Sequence, residues 1–287
     1  MNRILITGSH GFIGNALKEK CQLLDIPLIK EIKGDISNQD LHLCYQDNIP
    51  DHIFHLAAKT FVPRSWEEPL DFYKTNVYGL LNILEFCRKH KISMTFVSAY
   101  IYGVQSKLPV SEEAIPVPNN PYANSKLIGE QLCKFYIENY DLNISIIRPF
   151  NVYGPNQDKD FIFQKILDQA LSISNEIQLD SLLGKRDYVY IDDVVNALIM
   201  TIGLETGYLP INIGSGVSHS ISDVIKMIFA ELGIEKEIVC ANKKRKNEIL
   251  DVVADITRAK EILSWEPYYN MSMGIKDIIQ KKGNYER

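Results

Sequence analysis

Short apolar runs alternate with longer amphipathic stretches through the first half of the chain. This is the sequence form of repeated strand-helix units around a parallel sheet. Ile4 to Thr7 reads as a buried strand and Phe12 to Leu24 as a helix, with further strands near Ile26 to Ile29 and Ile53 to Leu56. Tyr73 to His90 sets Val77, Leu80, Leu81 and Leu84 at helical spacing, and Ile92 to Ser98 returns to strand character. A helix over Tyr122 to Tyr140 and a strand over Ile144 to Ile147 continue the alternation. Ahead of that helix, Pro109 to Pro121 holds four prolines and two asparagines and predicts an irregular surface loop. After Pro149 the rhythm loosens into helices around Phe161 to Ser174, Asp192 to Leu204 and Ile221 to Leu232. The expectation is an α/β protein with a doubly wound parallel sheet over residues 1–150. A smaller lobe over 151–287 returns some segments to the first, with no flexible tether between them.

Composition narrows the class. Among 287 residues, 31 Lys and Arg against 36 Asp and Glu give a net charge of −5, so a broad cationic surface for nucleic acid is not expected. The 46% hydrophobic content suits a soluble globule with a substantial core. Five dispersed cysteines without a Cys-x-x-Cys pair suggest neither a disulfide framework nor a zinc site. No run approaches the ~18 apolar residues of a membrane span, and the apolar stretch before Gly8 is too short for a signal-peptide core. A cytoplasmic protein with no membrane partner and no metal is expected.

The chemistry begins at Ile4-Leu5-Ile6-Thr7-Gly8-Ser9-His10-Gly11-Phe12-Ile13-Gly14, a glycine-rich turn between a strand and a helix. Glycines let backbone approach a pyrophosphate, and the N–H groups opening the helix supply donors and a favourable dipole. Farther along, Tyr122 and Lys126 stand four apart on a helix and so share one face. A phenol ionises near pH 10, and a neighbouring ammonium should pull that value down, readying Tyr122 to exchange a proton. Ser98, at a strand end, is expected to donate a hydrogen bond to the reacting oxygen. His52 and His55 lie in a strand-like segment and are assigned no catalysis.

Together these segments resemble the extended short-chain dehydrogenase/reductase family, whose nucleotide-sugar members carry a similar glycine turn near residue one, a strand bearing a catalytic Ser or Thr, and a Tyr-x-x-x-Lys signature. The resemblance runs over nearly the whole chain. It continues through Arg148-Pro149-Phe150-Asn151, Arg186-Asp187-Tyr188, Asp192-Asp193, Asn212-Ile213-Gly214 and Trp265-Glu266-Pro267. It implies a Rossmann-type fold with a smaller substrate lobe, catalysis by Ser98, Tyr122 and Lys126, and a dinucleotide held by Gly8, His10, Gly11, Phe12, Ile13 and Gly14. Asp35 and Ile36 would meet the adenine, Leu56, Ala57 and Ala58 would lie beneath the cofactor, and Asn76, Pro149, Tyr122 and Lys126 would complete its site. On the substrate side it implies Ser98, Tyr122, Asn151, Arg186 and Arg245, the arginines facing the diphosphate of a nucleotide sugar. It also implies a homodimer through a four-helix interface of the helices near Tyr73–His90 and Tyr122–Tyr140.

Two details bear on the reaction. The 4,6-dehydratases of this family resemble Thr-Asp-Glu where this chain reads Ser98-Ala99-Tyr100, so elimination has no evident acid–base pair. Reduction of a 4-keto-(6-deoxy)hexose and 4-epimerisation both remain open. At the end of the second strand a carboxylate suits the ribose of NAD and a basic residue the phosphate of NADP. Lys30 stands there with Glu31 beside it, so NADP(H) is favoured, NAD(H) is possible, and a reductase is favoured over an epimerase. A dinucleotide sensor without catalysis is a distinct class on the same fold, and the presence of Ser98, Tyr122 and Lys126 favours the enzyme.

Overall fold

The computed structural model describes residues 3–31, 34–243 and 249–285. Its strands are β1 (Ile4–Thr7), β2 (Leu28–Ile29), β3 (His52–His55), β4 (Ser93–Val97), β5 (Ile144–Pro149), β6 (Asn151–Tyr153), β7 (Glu176–Leu179), β8 (Lys185–Tyr190), β9 (Pro210–Ile213), β10 (Ser218–Ser220) and β11 (Glu237–Cys240). Its α-helices are α1 (Phe12–Leu23), α2 (Leu41–Tyr45), α3 (Val62–Glu67), α4 (Pro69–Tyr73), α5 (Gly79–His90), α6 (Pro121–Tyr140), α7 (Ile162–Leu171), α8 (Ile191–Ile199), α9 (Ile221–Leu232), α10 (Thr257–Leu263) and α11 (Met271–Tyr285).

A parallel sheet in the order β2-β1-β3-β4-β5-β9 forms the centre. Its strands read as continuous apolar runs because successive side chains feed opposite faces, both of them covered. Ile4 and Ile6 pack into the core beneath α1, α8, α9 and α11, while Leu5 and Ile53 face the core built on α5 and α6. β9 comes from the second half of the chain and pairs with β5, Ile147 opposite Ile211. Smaller sheets, β10-β8-β6 and β11-β7, lie outside this frame. Among the described residues no helix is long and apolar enough to cross a membrane.

Most expected elements lie within a few residues of their places, and the differences have local causes. The single helix expected over Tyr73 to His90 is α4, a π-helical turn over Lys74–Tyr78 and α5. The wide turn carries Asn76, whose amide donates to Ser125 Oγ at 2.9 Å and to the Lys59 carbonyl at 3.0 Å. α6 starts where Asn120 accepts from Ala123 N with Pro121 in the first turn, and stops where Asp141 turns left-handed at φ 53°. The second half also contains β6, β7, β8, β10, β11, α10 and α11, which apolar periodicity did not reveal.

Candidate active site

In an open α/β sheet, ligands meet the carboxyl ends of the strands. Gly8 follows β1, Leu56 follows β3 and Ser98 follows β4, all on that edge. Gly8 adopts φ +73°, and a β-carbon there would come within 2.8 Å of Ala57 N. A β-carbon on Gly14 would lie 2.1 Å from the Gly8 carbonyl. The turn is thus closed down on itself and on the chain after β3. Gly11 offers no side chain to cap α1, which leaves the first N–H groups of that helix for an anion. Phe12 and Ile13 supply them, and exposed His10 stands at the rim. These features fit the pyrophosphate of a dinucleotide.

The neighbouring positions are built differently from expectation in two respects. β2 ends at Ile29, so Lys30 does follow the strand, but its side chain is exposed. Glu31 turns inward instead, accepting from Gly8 N at 2.5 Å and Ser9 N at 2.9 Å. Alternate residues of an extended chain face opposite ways, so one of the pair must leave the turn. A carboxylate, and not an ammonium, therefore sits against the glycine turn. Asn76 is the second difference: it is buried, and its carbonyl oxygen also accepts from Lys59 N at 2.8 Å. It ties the chain segment after β3 to α6 through Lys59 and Ser125, on the element where a cofactor contact is expected.

Asp35 accepts from the backbone N–H and hydroxyl of Ser37, bonds that hold its carboxyl below the ordinary value. Ile36 packs over Gly79 at the start of α5, where a β-carbon would approach Ile36 Cγ2 to 2.4 Å. Leu56, Ala57 and Ala58 are partly buried after β3, with Ala57 N donating to Thr7 Oγ1 at 3.3 Å. Pro149 closes β5 opposite Ile213, and Asn151 opens β6, partly exposed.

The residues expected to be catalytic lie along α6 and at the end of β4. Tyr122 and Lys126 share one face, as their spacing requires, and burial dominates the electrostatics of both. Desolvation pushes the Tyr122 phenol upward, while the lowering expected from the ammonium together with the nicotinamide charge concerns the cofactor-bound site. The Lys126 ammonium donates to the Val97 carbonyl at 2.8 Å and lies 5.0 Å from the Phe96 ring centroid. Burial brings its pKa down to about 8, with the nearby Glu130 and Cys133 working the other way. Ser98 also departs from expectation. Only 2% exposed, it donates its hydroxyl proton to Glu130 Oε1 at 2.5 Å, so in this arrangement the proton is held by a carboxylate.

Glu130 itself was missed, although Tyr122, Lys126 and Glu130 fall at i, i+4 and i+8 on one helical face. Its fully buried carboxylate receives Arg148 Nε at 2.9 Å and Arg148 Nη2 at 2.5 Å. Tyr100 donates to the Gly103 carbonyl at 2.6 Å, and Ala99 offers no titratable group. Burial lowers His52 to about 4 and His55 to about 3, so both are neutral at working pH and hydrogen-bonded within the sheet.

On the side expected to take substrate, Arg186 Nη1 donates to the Ile249 carbonyl at 2.7 Å. Its charge also reaches Tyr100 and Tyr188, opposing the upward push of burial on their phenols. Arg245 lies outside the described residues. This edge of the sheet can hold a dinucleotide along the glycine turn and a carbinol or ketone against Tyr122.

The family model for GDP-mannose 4,6-dehydratase matches residues 22–278. A putative UDP-glucose 4-epimerase of Methanocaldococcus jannaschii is 31% identical, with 99% of each chain covered. A GDP-6-deoxy-D-mannose reductase of Pseudomonas aeruginosa is 28% identical over 96% of each. Among solved structures, RMD from Pseudomonas aeruginosa complexed with NADPH superposes with a TM-score of 0.92 at 26% identity, covering 99% of this chain and 100% of that one. The UDP-glucose 4-epimerase of Thermotoga maritima with UDP-glucose gives 0.92 at 29% identity over the same shares.

Proposed function

The chain belongs to the GDP-mannose 4,6-dehydratase-like family of nucleotide-sugar enzymes within the extended short-chain dehydrogenases/reductases, and on that premise we propose that it reduces the 4-keto group of a nucleotide-diphosphate (6-deoxy)hexose. The observation that carries this reading is the Tyr122–Lys126 stripe beside the end of β4, with Ala99 and Tyr100 in place of an eliminating acid–base pair. Gly8, Gly11, Phe12, Ile13 and Gly14 would hold a nicotinamide dinucleotide, which would supply the hydride. Tyr122, kept as a phenol by burial, gives the proton to the ketone oxygen, and the Lys126 ammonium favours negative charge developing nearby. Arg186, Asn151 and Arg245 are proposed to meet the nucleotide diphosphate. Incubation with an NDP-4-keto-6-deoxyhexose tests the reading: one equivalent of NADH or NADPH should be oxidised per alcohol formed, and no oxidation would reject it.

Glu31 supports NAD(H) over NADP(H), because its carboxylate suits ribose hydroxyls and repels a 2′-phosphate. NADH should bind about tenfold more tightly than NADPH, the scale of one charge-assisted contact. Glu31→Ser should narrow that gap and Lys30→Asp should leave it nearly unchanged. Titration calorimetry decides, and equal affinity for both dinucleotides contradicts the assignment. Glu31 also favours a second reading, the 4-epimerase, since such an enzyme keeps a NAD-type cofactor through each turnover. Interconversion of C4 epimers without net cofactor consumption would establish it.

A homodimer through α5 and α6 is part of the proposal. Tyr78, on the turn before α5, and Phe135, on α6, are 55% and 52% exposed, more apolar surface than the sheet face needs. Light scattering at micromolar concentration should give twice the mass of 32.8 kDa, and Phe135→Glu should shift the protein toward monomer. A monomeric wild type would refute the interface.

A further inference from the structure

The hydroxyl of Ser98 points at a group that the sequence signature does not include. Glu130 Oε1 receives that hydroxyl and Arg148 Nε, while Oε2 receives Arg148 Nη2 and, at 3.3 Å, the Tyr208 hydroxyl. Every oxygen of this buried carboxylate therefore keeps an arginine partner if Ser98 turns away. The Ser98 bond can be exchanged without stranding a buried charge, whereas losing Arg148 could not. Arg148 continues the chain of contacts: Nη1 donates to the Tyr102 hydroxyl at 2.7 Å, which donates to Asn212 Oδ1 at 2.6 Å. Asn212 Nδ2 then donates to the Val110 carbonyl at 3.0 Å, in the loop leading to α6. The carboxylate is thus fixed from α6, β5 and β9 at once.

Resting on the ketoreductase reading, we infer that Glu130 is the positioning residue for Ser98, accepting its hydrogen bond in the free enzyme and giving up that bond to the oxygen at sugar C4 during hydride transfer, while the proton itself stays on Ser98 and Tyr122 supplies the one transferred. The exchange replaces one O–H···O⁻ contact by another as negative charge develops on that oxygen. No bond to carbon is made by Glu130.

Glu130→Gln should lower kcat by tenfold or more, with KM within about threefold and NADH binding within about twofold of wild type. In a Ser98→Ala background the same change should have less than a twofold effect, because Glu130 acts through that hydroxyl. A purely structural carboxylate would lower both backgrounds alike, and that result overturns the inference. Glu130→Leu/Arg148→Met removes the ion pair without leaving a lone buried charge and should repeat the pattern if Glu130→Gln does not fold. A direct readout needs only wild type and Ser98→Ala: infrared difference spectra with ¹³C-labelled glutamate upon adding dinucleotide and nucleotide sugar. A carboxylate shift in wild type that Ser98→Ala abolishes supports the release, and no shift in wild type overturns it. Nucleotide-sugar binding without any turnover would remove the ketoreductase reading, whereas full turnover with independent Ser98 and Glu130 losses removes this inference alone.

Discussion

Tyr122→Phe is expected to lower turnover by about 10²-fold or more, roughly 2.7 kcal/mol in the barrier, while leaving dinucleotide binding within about twofold. The substitution removes one hydroxyl and keeps the ring. Tyr122 lies in the first turn of α6, which Asn120 caps through Ala123 N and Pro121 opens, so the helix start does not depend on the phenol. Burial keeps that phenol protonated. In the proposed mechanism what is lost is the proton donor to the ketone oxygen, and the deficit should fall on kcat. Single-turnover kinetics with saturating NADH checks this, and wild-type turnover in the variant contradicts the role of Tyr122.

Lys126→Ala should lower turnover by about 10²-fold and weaken dinucleotide binding as well, because the proposal gives the ammonium both a fixed charge beside the reacting oxygen and a contact to the cofactor. The variant also leaves the Val97 carbonyl without its 2.8 Å donor, at the end of the strand that carries Ser98. The charge makes a second result readable. With its pKa brought down to about 8 by burial, Lys126 is cationic below that pH and neutral above it. Turnover should fall as pH rises through about 8. Glu130 and Cys133 from α6 and His55 from β3 are the groups coupled to it, and His55 is already neutral there. Lys126→Arg keeps its charge across this range, so its residual activity should lack the alkaline limb. A limb that persists in Lys126→Arg would assign it to another group.

What was legible in the sequence follows from which forces are local. β1, α1 and α9 sit where apolar period and glycine punctuation put them, since α9 carries a Ser220–Asp223 capping box and ends on Gly233. β8, β10 and β6 were not legible, because short strands paired across 30 or more residues leave no period long enough to read. Residues found through family likeness turned out to include structural staples. Asp187 accepts from Ser215 N, Gly216 N and Ala254 N, while Asp193 accepts from Tyr268 N and Tyr269 N. The order of side chains at Lys30–Glu31 could be located in sequence, yet its facing depends on whether the turn's N–H groups capture a carboxylate. Ser98 shows the same limit. Its place at the end of β4 was readable, but its partner Glu130 lies 32 residues away and meets it only in the folded chain.

The central claim is hydride transfer at sugar C4, and isotope tracing tests it most directly. NADH carrying deuterium at the transferable nicotinamide position should deliver that label to C4 of the product from an NDP-4-keto-6-deoxyhexose. In the epimerase reading, label placed at C4 of the substrate should be retained at C4 of its epimer. Deuterium found at C4 in either experiment is the expected result. Conversion of the sugar with label appearing in solvent, or at C5, would contradict the account.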